Sequence, residues 1–191
     1  MHSLSSIIVV CWVIFWLYWL ISAFNSKSST TTNMKQARQF FGIRIFIFVL
    51  AVILFRVHNV QNYSFNNTKA THNELVLAVG FIMFLAGLAL AIWARVYLGR
   101  NWGMPMTQKE DPELVTSGPY SYIRHPIYTG ILLAIVGSIV AGGLFWIVFL
   151  VITAPYFIYS AFMEERLMMK QFPKVYSSYK NKTKMLIPFV F

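Results

Sequence analysis

From Ile127 to Met163 the chain runs 37 residues without a charged side chain, and only Gly142-Gly143 interrupt it. A run of this length reads as two apolar helices folded back on each other. The break leaves arms of about 14 and 20 residues. Fourteen helical residues rise only ~21 Å, less than the ~30 Å of a bilayer's hydrocarbon core. The first arm therefore either begins earlier, near Tyr120, or does not cross fully. Both cases draw Arg124-His125-Pro126 to the membrane face. Pro126 suits the first turn of a helix, where its missing N–H would find no partner anyway.

Three further apolar segments precede this hairpin. Residues 7–24 form 18 uncharged positions, 40–57 carry arginines only near their ends (Arg44 and Arg56), and 75–94 form 20 uncharged positions. Each meets the length a spanning helix needs. The flank before Ile7 lacks the basic residues of a signal peptide, and Trp12, Trp16 and Trp19 are too bulky for a cleavage site, so a retained helix is expected. In 75–94, Gly80, Gly87 and Ala91 share one helix face, where a second helix can approach closely. Composition agrees: 58% of residues are hydrophobic and 12% charged, where ordinary soluble domains have roughly 45–50% and ~25%. The fold class expected is an all-α integral membrane protein of about five transmembrane helices, the last two a hairpin. Cys11 is the one cysteine, which excludes an intramolecular disulfide.

Charge sets the expected orientation. The net charge is +10, from 16 Lys+Arg and 6 Asp+Glu. With five crossings, 14 of the 16 basic residues fall on one side, in the first linker, the 95–125 loop and the tail. The positive-inside rule then places the N-terminus outside and the C-terminus in the cytoplasm. The membrane would be the inner membrane of a bacterium or the endoplasmic reticulum of a eukaryote. This distribution also accounts for the basic charge without a nucleic-acid partner. Five of the six acids (Glu110, Asp111, Glu113, Glu164, Glu165) lie on the same side, so polar chemistry gathers on one membrane face. Residues 1–94 read as N-terminal membrane helices, and 95–191 as a functional core of loop, hairpin and tail.

Several chemistries lack their residues. The four histidines (His2, His58, His72, His125) have no metal-ligand spacing to one another or to Cys11, so no metal is expected. Neither a Gly-x-Gly-x-x-Gly nor a Gly-x-x-x-x-Gly-Lys loop occurs, nor a nucleophile elbow. Internal repeats and mid-helix charges, the marks of a transporter, are absent as well.

What remains is an ordered set of motifs. Leu114-Val115-x-x-Gly118-x-Tyr120 leads into Arg124-His125-Pro126-x-Tyr128-x-Gly130; the hairpin follows, then Glu164-Glu165, then Phe172-x-x-x-Tyr176-x-x-Tyr179 and a late Pro188. In this order, over roughly Leu98 to Pro188, the sequence resembles the isoprenylcysteine carboxyl methyltransferases, within the integral-membrane methyltransferases that include the phospholipid N-methyltransferases.

The resemblance implies S-adenosylmethionine as methyl donor, bound between the cytoplasmic loop, the hairpin and the tail. The contacts it implies fall on Leu114, Val115, Tyr120, His125, Pro126, Ile127, Tyr128 and Glu164. Pro112 and Glu113 lie in the same stretch, and a further contact falls near Pro105. Where the family has an arginine for the substrate carboxylate, one turn before the first glutamate, this chain has Ser160.

Methyl transfer from a sulfonium is an in-line displacement that needs positioning and exclusion of water, not a covalent intermediate. His125 is therefore assigned to hydrogen-bonding the donor. Arg124 is either an orienter of donor or substrate, or a snorkelling interfacial arginine. Glu164 and Glu165 point ~100° apart on a helix, so Glu164 is given to the donor and Glu165 to Arg124 or a tail lysine, with substrate contact also open. Tyr120 and Tyr128 line the donor pocket or belong to an interfacial aromatic belt. Trp102, with Met104–Met106, lines the route from lipid or packs at the interface.

The acceptor expected is a lipophilic small molecule or lipidated protein, drawn from membrane lipid. Carboxyl O-methylation of an isoprenylcysteine-like substrate is the first reading. The alternatives are N- or S-methylation of a lipid or small amphiphile, or a non-catalytic membrane binding protein on the same fold.

Overall fold

The structure is a computed structural model that describes residues 2–23, 73–102 and 113–188. Five α-helices account for most of these: α1 (His2–Ala23), α2 (Glu74–Leu98), α3 (Pro126–Gly142), α4 (Ile147–Gln171) and α5 (Pro173–Lys182). The protein is an all-α integral membrane protein. Three stretches are long and apolar enough to cross a membrane, Leu4–Ser22, Glu74–Asn101 and Leu144–Gln171, whereas Pro126–Gly142 is shorter. Segment 40–57, expected to be a further crossing, lies outside the described residues.

Local chemistry sets the helix ends. The Asn73 side chain accepts a hydrogen bond from the Leu75 amide at 3.0 Å and caps α2. Gly143 ends α3 at φ 105°, a backbone conformation that residues with a side chain rarely adopt. At the other end of α3, Pro126 takes the first helical position and keeps His125 before it out of helix (φ −124°, ψ 59°). That settles the open question about the first arm. It does not begin near Tyr120, which sits in a separate 3-10 turn, Gly118–Ser121. The helix has 17 residues, a rise of ~25 Å.

The core lies along α3. Helices α2 and α3 run antiparallel at backbone contact, through the small residues the sequence places on one face. A Cβ on Gly130 would meet both the Ala91 nitrogen and the Gly87 oxygen at 2.6 Å, and one on Gly137 would meet the Gly80 oxygen at 2.6 Å. In lipid, where burial against hydrocarbon supplies no drive between helices, such close packing holds a bundle together. Helix α1 docks on the same helix: the Trp12 indole donates to Ser138 Oγ at 3.1 Å, and Ser138 donates onward to the Ala134 carbonyl at 2.8 Å. Trp12 also stacks on Trp146 at 6.0 Å, beside the hairpin turn. Outward faces are apolar and exposed, as at Ile14 and Ile21 of α1, Ile82 of α2 and Val151 of α4.

Candidate active site

The site is built where the tail returns to the start of α3. The Arg124 amide donates to the Lys184 carbonyl at 2.8 Å and the His125 amide to the Met185 carbonyl at 3.1 Å. The Thr129 hydroxyl donates to the Leu186 carbonyl at 2.6 Å. Met185 and Leu186 are buried in the core, so the apolar tail anchors these bonds. With its amide tied to the tail and Pro126 behind it, His125 is fixed in place.

The His125 ring lies parallel to Tyr128, 5.5 Å away and tilted 5°. Tyr128 in turn stacks on Phe157 of α4 at 4.5 Å and 10°. This three-ring ladder crosses from α3 to α4 and points at the glutamate pair. The Tyr128 hydroxyl donates to Glu164 Oε1. His125 Nδ1 lies 3.5 Å from Glu164 Oε2, and Nε2 lies 3.7 Å from Glu165 Oε1.

The two glutamates diverge as helix geometry requires. Glu165 is buried and takes Arg124 Nε at 2.6 Å and Lys180 Nζ at 2.7 Å. Arg124 Nη1 donates as well to the Thr183 and Lys180 carbonyls. Glu165 therefore ties to Arg124 and a tail lysine together. Glu164, with 27% of its side chain exposed, has no arginine or lysine partner among the described residues. Glu165 is neutralised internally, whereas Glu164 is partly exposed and meets only the Tyr128 hydroxyl and the His125 ring among the described residues.

Burial alone would push the His125 imidazole down, but Glu164 and Glu165 on its two sides outweigh it and hold its pKa above the ordinary value. Burial raises the Tyr120 and Tyr176 phenols. It pushes Tyr179 up to about 12 against the pull of Arg124. All three phenols stay neutral near physiological pH and act as hydrogen-bonding groups. Tyr179 does so directly, donating to the Tyr120 carbonyl at 2.6 Å.

Of the residues singled out in the sequence, Arg124, His125, Tyr128, Glu164 and Glu165 come together in one network. Tyr120 is buried beside it, held by Tyr179. Leu114 and Val115 are half-buried, Val115 against the core, while Pro126 and Ile127 are buried. Ser160 is fully buried one turn before Glu164, and its hydroxyl has no hydrogen-bond partner among the described residues. Trp102 sits elsewhere, edge-on to Trp19 at 6.1 Å and beneath Arg95. Glu113 accepts from Asn101 at 3.1 Å. Pro105, Pro112 and Met104–Met106 lie outside the described residues. Sequence reasoning missed Lys180 by number, Thr183 and the carbonyls of 184–186. The Tyr176-x-x-Tyr179 spacing was the one available signal that this helix faces the site.

Residues 75–175, just over half of the 191-residue chain, match the family model for phospholipid methyltransferases. The match begins upstream of the motif block and takes in α2. Among solved structures, the fold is similar to that of the eukaryotic intramembrane Ras methyltransferase, an isoprenylcysteine carboxyl methyltransferase. That likeness has a TM-score of 0.61 and 24% identity, over 75% of this chain and 52% of the other. The chain thus spans about half the length of that relative. Comparison with curated proteins gives no match.

Proposed function

Because the chain belongs to the phospholipid methyltransferase family, we propose that it is an integral-membrane methyltransferase that draws on S-adenosylmethionine and methylates a lipophilic acceptor. The observation that carries this reading is the division of labour between the adjacent glutamates. Arg124 and Lys180 neutralise Glu165, while Glu164 is left to the hydroxyl of Tyr128 and the ring of His125. A partly exposed carboxylate, backed by stacked rings, suits a cationic donor. His125 Nε2 is buried 3.7 Å from Glu165 Oε1 and completes no hydrogen bond among the described residues.

Glu164, His125 and Tyr128 would hold the donor's charged end, and Leu114, Val115 and Tyr120 would wall its flat base. Pro126 and Ile127 shape that wall from the core side. When bound, S-adenosylmethionine supplies an electrophilic methyl group on a sulfonium. The chain's own part is to orient and to exclude water, which in a dry site favours a reaction that quenches opposite charges. Arg124 acts as a positioning residue through Glu165. The donor enters from the cytoplasm, with the N-terminus outside, and the acceptor enters laterally from the bilayer, past Trp102.

For the acceptor, carboxyl O-methylation of an isoprenylcysteine-like molecule is the first reading, supported by the motif order and by the activity that the structural relative's name states. Ser160 favours the second, N- or S-methylation of a lipid or small amphiphile. It places a small neutral side chain where a carboxylate would want a cation. An amine acceptor must also lose a proton, which calls for a nearby base.

Calorimetric titration of the detergent-purified protein with S-adenosylhomocysteine tests the donor site. Saturable micromolar binding, lost in Glu164→Gln and in His125→Ala while both remain folded, is the expected result. No binding to folded protein, in detergent and again in nanodiscs, overturns the proposal. The product then separates the acceptors, since a methyl ester is alkali-labile and an N-methyl group is not.

A further inference from the structure

Arg95 lies in the last turn of α2, within a stretch fit to cross a membrane, and is only 4% exposed. An arginine in such a position is costly, less so towards the helix end, and it calls for a partner. Its two terminal nitrogens donate to backbone carbonyls, Nη1 to Gly99 and Nη2 to Ser22 of α1, each at 2.7 Å. The guanidinium carbon sits 4.7 Å over the ring of Trp102. These contacts offer partial charge only. No carboxylate meets Arg95 among the described residues, and its Nε is buried without a hydrogen-bond partner.

Beside it a shallow pocket opens between the ends of α1 and α2, lined by Tyr18, Ser22, Arg95, Val96, Gly99 and Arg100. Two of the six residues are cationic, and Tyr18 adds a hydroxyl. Gly99 leaves its floor open, with nothing within 4 Å of where a Cβ would stand. The surfaces leading away along the helices are apolar and exposed, with Leu17 and Ile21 on α1 and Ile92 and Val96 on α2. A net positive, polar recess at the end of two apolar helices matches a phospholipid: headgroup phosphate in the recess, acyl chains along the helix faces.

We propose that the Arg95 pocket binds the phosphate of a membrane phospholipid and thereby clamps α1 to α2. A planar guanidinium suits phosphate oxygens through directed N–H bonds, and Arg100 at the rim adds charge. The contacts that define this pocket do not include His125, Glu164 or Glu165. Arg95 does lie over Trp102, which the proposed function sets on the acceptor's route, so the inference is read by binding rather than by turnover.

Native mass spectrometry of the full chain, titrated from detergent with phosphatidylglycerol, tests it. Arg95→Gln would also cut the tie to Ser22 and could unfold the pair, so the informative variants leave Arg95 in place. Val96→Glu sets a carboxylate at the pocket and competes for the guanidinium; lipid binding is expected to weaken by roughly tenfold, since like charges facing each other cost affinity. Arg100→Gln is expected to weaken it by roughly threefold, as an exposed charge contributes less. Leu75→Gln, exposed at the far end of α2, leaves binding unchanged. Equal lipid affinity in the wild type, Val96→Glu and Arg100→Gln, all folded by thermal melt, overturns the proposal. So does displacement of the lipid by inorganic phosphate at matched concentration, which would make this a site for the free ion.

Discussion

Arg124 and Glu165 meet at 2.6 Å with side chains only 7% and 3% exposed, a buried ion pair that joins the start of α3 to α4. Lys180 of α5 closes the same carboxylate from the outside at 2.7 Å, with 47% of its side chain exposed. Breaking a buried pair by removing one partner costs ~3–5 kcal/mol, because the other charge is left stranded. An exposed partner contributes ~0–1 kcal/mol. Arg124→Met should therefore lower the thermal midpoint in detergent far more than Lys180→Ala. Comparable losses in the two variants would show that the pair is not the structural joint.

Tyr128 serves two purposes that a single substitution separates. Its ring is the middle rung between His125 and Phe157, and its hydroxyl donates to Glu164. Tyr128→Phe keeps the ladder and deletes the hydrogen bond to Glu164. The expected outcome is an unchanged thermal midpoint with S-adenosylhomocysteine affinity reduced by roughly tenfold, ~1.4 kcal/mol. Unaltered affinity by calorimetry would remove Tyr128 from the donor site.

The α2–α3 seam makes a prediction in which space decides the sign. At Gly130 a new Cβ meets backbone atoms of Ala91 and Gly87 at 2.6 Å, and backbone cannot step aside. At Gly142 the nearest atoms are side-chain tips, Trp146 Nε1 at 3.0 Å and Ile8 Cδ1 at 3.3 Å, which can. Gly130→Ala should cost ~1–3 kcal/mol as overpacking. Gly142→Ala should cost less, offset by up to ~1 kcal/mol of helix propensity. Thermal unfolding of the two variants side by side checks the order, and a reversal would mean that the helices do not pack as described.

What the sequence made legible was whatever repeats locally. The small face Gly80, Gly87, Ala91 follows from helical spacing alone, and so does the divergence of Glu164 from Glu165. The hairpin break follows from Gly142-Gly143. The tail's carbonyls at 184–186 were invisible, because a backbone acceptor has the same chemistry under any side chain, and its partners lie about 60 residues upstream. The start of α3 is set by Pro126 acting on His125, a local effect of adjacent residues. Arg95 read as a loop charge, since nothing in its neighbours revealed that α2 continues past it to Leu98. Its burial depends on the Ser22 carbonyl, 73 positions away.

His125 supplies the pH prediction. Its pKa is raised above the ordinary histidine value of 6.5 in the folded protein, with burial opposing and the two glutamates prevailing. A raised pKa means that the folded state binds the proton more tightly than the unfolded chain does. The stabilisation is then fully present below pH 6.5 and is lost as pH rises through the folded value. His125→Asn keeps a polar side chain of similar reach but carries no charge. The gap in thermal midpoint between wild type and His125→Asn should be widest in mildly acidic buffer and narrow steadily as the pH is raised past neutrality. The same protonation places a positive charge between Glu164 and Glu165, where it competes with a cationic donor. Affinity for S-adenosylmethionine should accordingly rise over the pH range in which the stability gap closes. A gap that is constant with pH would mean that the imidazole stays neutral in the fold, and the donor affinity would then be flat as well.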